Sequence, residues 1–147
     1  MRLLIASFAA VAFTGTAAAQ TLSVNPGQWE YVTDMDMTLT MDGQTIPMPM
    51  DQDVSTECLT AEDAVLDPQE LAQNGCSISN VQTTSTTMTF DMNCSQDGMT
   101  MSGDASVVVS NGGDAADLTM NMSGTAPGQG SMSMSVDMKT KRLGACS

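Results

Sequence analysis

From Trp29 onward the chain alternates between apolar and polar positions. Trp29, Tyr31, Thr33, Met35, Met37, Leu39 and Met41 take every second place, with Asp34, Asp36, Thr38 and Thr40 between them. A period of two is that of a half-buried strand, whose successive side chains point to opposite faces. Past Asp42-Gly43 a second set continues it: Ile46, Met48, Met50, Gln52, Val54, Thr56 and Cys58. Asp-Gly between alternating runs predicts a two-residue hairpin, because both central positions need φ > 0. Closing the turn there pairs Met41 with Gln44, Leu39 with Ile46, Met37 with Met48 and Met35 with Met50. The apolar sets then share one face, which a slip of one residue would destroy. The same register puts Asp34 opposite Asp51 on the solvent face and turns Trp29 toward the Thr56 region, as a core anchor. Pro47 and Pro49 fall on the other face and cannot donate to a ladder, so they mark the second strand as an edge or a bulged strand.

Residues 59–75 break the alternation. Thr60 followed by Glu62-Asp63 reads as a helix start, Asn74-Gly75 as its stop, and Pro68 as an interruption between them. One short or interrupted helix is expected, with Val65, Leu66 and Leu71 on its buried side. Alternation resumes with Cys76 and Ile78, then Met88, Phe90, Met92 and Cys94. A hairpin centred on Ser85 brings Cys76 opposite Cys94 and Ile78 opposite Met92. Opposed strand residues lie about 4.5–5.5 Å apart, within reach of a disulfide. Asp97-Gly98 makes a second two-residue turn and sets Cys94 by Met101, Met92 by Gly103, Phe90 by Ala105 and Met88 by Val107. Asn111-Gly112-Gly113 reverses the chain again, and Leu118, Met120 and Met122 are followed by a loop at 126–130. Met132, Met134, Val136 and Met138 close the series. The expected fold is all-β: a seven-stranded curved antiparallel meander or incomplete barrel, with one short helix inserted after the second strand. A sheet with one apolar face must cover it, and wrapping that face on the helix is the favoured solution.

The opening residues set the compartment. Arg2 precedes an uncharged apolar run over 3–13, and Ala17-Ala18-Ala19 supplies a small-residue cleavage site before Gln20. This is the pattern of an export signal over 1–19, too short for a permanent span of roughly 20 residues. Residues 20–147 remain as a single domain, periplasmic or secreted, with no transmembrane anchor after cleavage. That part carries all 17 acidic residues against Lys139, Lys141 and Arg142, a formal charge of −14. Nucleic acid is excluded as a partner, since phosphate binding needs clustered Lys and Arg.

The four cysteines, Cys58, Cys76, Cys94 and Cys146, form an even set in an exported chain, which predicts two disulfides. Hairpin parity selects Cys76–Cys94 and leaves Cys58–Cys146 by elimination, although three pairings are formally open. These residues together resemble a family of exported bacterial proteins, domain of unknown function 3617. The matching features are Asn25-Pro26-Gly27-Gln28-Trp29-Glu30, Cys58-Leu59-Thr60, Cys76, Cys94 and Arg142-Leu143-Gly144-Ala145-Cys146. The resemblance runs from Asn25 to Cys146. It implies an exported all-β domain and assigns no catalytic residue.

The chain contains no histidine, so it lacks the usual Ser/His and Cys/His nucleophile arrangements and any His-based metal centre. No phosphate-cradling glycine loop is present and no cofactor is implied. A noncatalytic envelope protein is expected, binding an apolar small molecule or a protein partner through a methionine-rich curved sheet. Its candidate face is Trp29, Met35, Met37, Met48, Met50, Phe90, Met120, Met122, Met132 and Met134. Fifteen methionines in 147 residues also raise a copper alternative, because thioether sulfur is soft and suits Cu(I). Its candidate donors are Met35, Met37, Met48 and Met50, although a buried strand face needs the same period of two. A carboxylate-based hydrolase is the third reading.

Overall fold

The computed structural model describes residues 21–147 apart from 73, 74 and 129. The expected export signal at 1–19 and the Asn74 helix stop lie outside the described residues. Both Asp-Gly turns form as the sequence requires. Asp42 and Gly43 have φ of 50° and 77°, Asp97 and Gly98 of 52° and 81°, so each pair occupies the left-handed region a tight hairpin needs.

The described strands are β1 (Leu22–Ser23), β2 (Gly27–Met41), β3 (Gln44–Pro49), β4 (Asp53–Leu59), β5 (Val65–Leu66), β6 (Cys76–Thr83), β7 (Thr87–Gln96), β8 (Met99–Ser110), β9 (Ala115–Ala126) and β10 (Gly130–Gly144). One antiparallel sheet runs β3-β2-β10-β9-β8-β7-β6, and β4 pairs with the half of β2 that β3 leaves free. If β3 and β4 count as one interrupted strand, the sheet has the expected seven. It is not closed into a barrel: β3 and β4 lie along one edge and β6 forms the other. The run from β6 to β10 is a meander, after which β10 returns to lie beside β2 over almost its full length, Ser131↔Thr40 to Gly144↔Gln28. That return places the first long strand inside the sheet.

Three expectations need correction. The first hairpin keeps its register, Met41↔Gln44, Leu39↔Ile46 and Met37↔Met48, only as far as Asp36↔Pro49. Below the break at residues 50–52 the pairing resumes as Thr33↔Asp53 and continues to Gly27↔Leu59, one residue out of step. Met50 therefore does not pair with Met35, Asp51 does not oppose Asp34, and Trp29 lies across from Glu57 rather than Thr56. The two prolines on this edge strand supply the physical reason, since a strand short of donors is released from its partner at little cost. Asp34 accepts a hydrogen bond from Gln52 Nε2 at 2.8 Å in the gap.

Second, the insert is not the expected interrupted α-helix. Residues 61–64 form a turn, β5 pairs with β1 (Leu22↔Leu66), and only Pro68–Leu71 is helical, as one 3₁₀ turn capped by the Asp67 side chain on the Gln69 amide at 2.8 Å. Pro68 at the start and Asp67 before it favour a capped single turn over a longer helix. Leu66 is half-buried as expected, whereas Val65 is exposed. Third, the β6–β7 hairpin holds Cys76↔Cys94 and Ile78↔Met92 but bulges after Ser79↔Asp91, where Asn80 takes φ of 52°.

Both disulfides join the expected partners, Cys76–Cys94 and Cys58–Cys146. The core is thickest at one end of the apolar face and runs along it as far as Met92 and Met122. Trp29, Met88, Phe90, Ala105, Val107, Val109 and Ala116 are buried beneath Leu22, Val24 and Ala64 from the N-terminal segment and the insert.

Candidate functional site

The apolar face is covered at one end and left open at the other. Where it is covered, a cavity of about 250 Å³ separates the sheet from its lid. Trp29 and Tyr31 of β2, Met138 and Thr140 of β10, Leu118 and Ala116 of β9, Val107 of β8, and Met88 and Phe90 of β7 form its floor. Five neighbouring strands laid flat would span roughly 19 Å. That all five line one small cavity means the sheet curls over it. Val24, Leu59, Val65, Leu66 and Pro68 close the other side, and Asp63, Asp67 and Glu70 are its acidic members.

The lid is held by the residues that carry the family resemblance. Trp29 Nε1 donates to the Asn25 carbonyl at 2.9 Å. The Asn25 side chain in turn donates to the Gly112 carbonyl at 3.1 Å and to Asp114 Oδ1 at 2.9 Å. Arg142 Nε donates to the Pro26 carbonyl at 2.8 Å, and its backbone amide donates to the Asp114 carbonyl at 2.8 Å. Gly27 sits in this crossing with φ of 148°, and a Cβ there would fall 2.2 Å from the Gly144 carbonyl oxygen, so no other residue fits. Backbone bonds from Val24 to Ala64 and from Asn25 to Gly113, both 2.9 Å, complete the strap.

Of the ten residues expected on an apolar-ligand face, Trp29 and Phe90 line the cavity. The other eight do not, and seven of them lie farther along. Met35, Met37, Met120, Met132 and Met134 are half-buried, Met122 is buried and Met48 is exposed. Met50 falls in the break between β3 and β4 and is exposed. Sequence reasoning left out Val24, Tyr31, Leu66, Met88, Leu118 and Met138. Parity put Tyr31, Met88, Leu118 and Met138 on apolar faces. Leu22-Ser23-Val24 was the only local sign of the strap, and three residues are too few to read as a strand.

Burial in the cavity wall, followed by the nearby Glu57 carboxylate, raises the Tyr31 hydroxyl above the ordinary tyrosine value of 10.0. Both effects disfavour the phenolate.

The opposite face is mostly polar, with Val32, Val54 and Val108 as apolar exceptions. Near the hairpin ends it carries an open groove of about 740 Å³ with Ser77, Asn93, Ser102, Ser123 and Ser133 in one cross-strand row. It brings together neutral hydroxyl and amide groups, with no ion pair among them. Among the described residues no three His, Cys, Asp or Glu side chains form a metal-binding group. Nor is any described helix long and apolar enough to cross a membrane.

The profile of the family described as protein of unknown function (DUF3617) matches residues 24–146, and the chain belongs to that family. No curated protein and no solved structure matches it. The matched span begins at Val24 and ends at Cys146, so it takes in the cavity lining and both disulfides and leaves out β1.

Proposed function

We propose that this member of the DUF3617 family is an exported, noncatalytic envelope protein that holds the apolar part of a small molecule between its curled sheet and the strap. The observation that carries this reading is the cavity itself: an apolar floor from five strands, a tryptophan wall and a lid assembled from two separate chain segments. Its volume, about 250 Å³, lies just below the roughly 300–1,000 Å³ of most small-molecule sites. A short chain, a ring, or the end of a longer chain is the matching shape. Six buried methylenes at about 0.8 kcal/mol each supply about 5 kcal/mol, a Kd of order 0.1–1 mM before any further contact. Asp63, Asp67 and Glu70 at the rim disfavour an anionic headgroup and favour a neutral or cationic one. The two disulfides and the sequence of the leader support a periplasmic or extracellular setting.

A second reading has an envelope protein dock on the sheet edge at β3, where Ile46 and Met48 are exposed.

The test is a fluorescence titration that reads Trp29, the only tryptophan. Octanol and octylamine should shift its emission saturably, and octanoate should bind at least tenfold more weakly. Leu118→Phe, which fills the cavity from its floor, should abolish the response while leaving the circular dichroism unchanged. Absence of a saturable response to all three, or an equal response in the folded variant, would overturn the proposal.

A further inference from the structure

Beyond the cavity the apolar face becomes a row of sulfur. Met48 of β3 lies directly opposite Met37 of β2, Met37 opposite Met134 of β10, and Met134 opposite Met122 of β9. Four neighbouring strands thus present methionine at one level, on one face. Directly opposed strand residues have Cβ atoms about 4.5–5.5 Å apart. Three rotatable bonds on each side chain let adjacent sulfurs converge from that spacing. Access is graded along the row: Met48 is 46 % exposed, Met37 and Met134 are half-buried, and Met122 is 6 % exposed.

Packing explains a period of two, but it does not explain this composition. A strand face that needed only to be apolar would be served better by Val and Ile, which favour strands and hold fixed rotamers. Met122 belongs to the core and Met134 packs against it, but the row is not sealed, since Met48 stands in solvent. We propose that Met37, Met48 and Met134 form a Cu(I) site, with Met122 as the buried sulfur behind it. The donor set selects the metal. Thioethers are soft and neutral and suit Cu(I), whereas Zn²⁺ and Cu²⁺ prefer imidazole, thiolate or carboxylate groups. The chain offers those ions no histidine, no free cysteine and, among the described residues, no cluster of three acidic or cysteine ligands. Of the four donors the sequence pointed to, Met37 and Met48 remain. Met50 lies in the strand break and Met35 sits one level away, while Met134 comes from a strand nearly 100 residues on, which only the return of β10 brings alongside.

The site is separate from the cavity, so each reading fails by its own measurement. The experiment is anaerobic titration of the processed protein with Cu(I) against a competing Cu(I) chelator, with stoichiometry read by native mass spectrometry. One Cu(I) per chain is expected, with no uptake of Zn²⁺ under the same conditions. M37L/M48L/M134L should weaken Cu(I) binding at least a hundredfold, and Met88→Leu, in the cavity floor, should leave it unchanged. Should the triple variant fail to fold, Met48→Leu alone, on the exposed edge, should weaken binding about tenfold. No uptake by the wild type, or wild-type affinity in the folded methionine variant, would overturn the site.

Discussion

Leu22 lies three residues beyond the expected cleavage site, where a chain end ordinarily tolerates change. Here it is 0 % exposed and pairs with Leu66 in the two-stranded strap. Leu22→Ala removes three carbon atoms, worth about 2.4 kcal/mol at about 0.8 kcal/mol each. The space left behind adds a cavity term, which brings comparable buried Leu→Ala changes to about 3–5 kcal/mol. Against a domain stability of about 5–15 kcal/mol that is a large share. The assay is urea unfolding of the oxidised, processed protein, followed through Trp29 beneath the strap. The transition should keep its slope and move its midpoint down by about 1–5 M, taking a slope of about 1–3 kcal/mol per M. The same variant should weaken octanol binding, since Val24 of the strap lines the cavity. A loss below 1 kcal/mol would refute the reasoning, because it would mean that the N-terminal segment does not hold the lid.

The two disulfides should differ in weight. They close spans of 88 and 18 residues, for which chain entropy gives about 4.6 and about 3.2 kcal/mol. Cys58→Ala/Cys146→Ala should therefore lower urea stability more than Cys76→Ala/Cys94→Ala, by about 1 kcal/mol; the reverse order would exclude loop closure as the dominant effect. Tyr31 is the only tyrosine, so phenolate absorbance reads it directly. Because its folded pKa is raised, the folded state binds more protons than the unfolded chain above pH 10.0, and stability should fall as pH rises past that point. Titration of the native protein at or below the ordinary value would contradict its place in the cavity wall.

Much of this fold is legible because its turns are local. Asp42-Gly43 and Asp97-Gly98 each fix a register by themselves, and parity then sends Met37, Met48, Met92 and Met101 to the correct face. The strand break at 50–52 was harder to read. Val54, Thr56 and Cys58 continue the sequence alternation without a gap, yet the register shift moves them to the polar face, opposite Val32, Glu30 and Gln28. The insert misled in another way: Thr60 and Asp63 look like a helix start but bond to each other to close a turn. The return of β10 to β2 and the strap of β1 on β5 depend on residues far apart in the chain, and no periodicity encodes a partner at that distance. Hence the apolar face could be read from the sequence, while the cavity could not: its lid is made by those long-range pairings.

Saturation-transfer NMR of millimolar octanol with the protein, suited to so weak an affinity, tests the central claim most directly. The account predicts transfer from the wild type to octanol and none from Leu118→Phe. No transfer from either, with the fold intact, would contradict it.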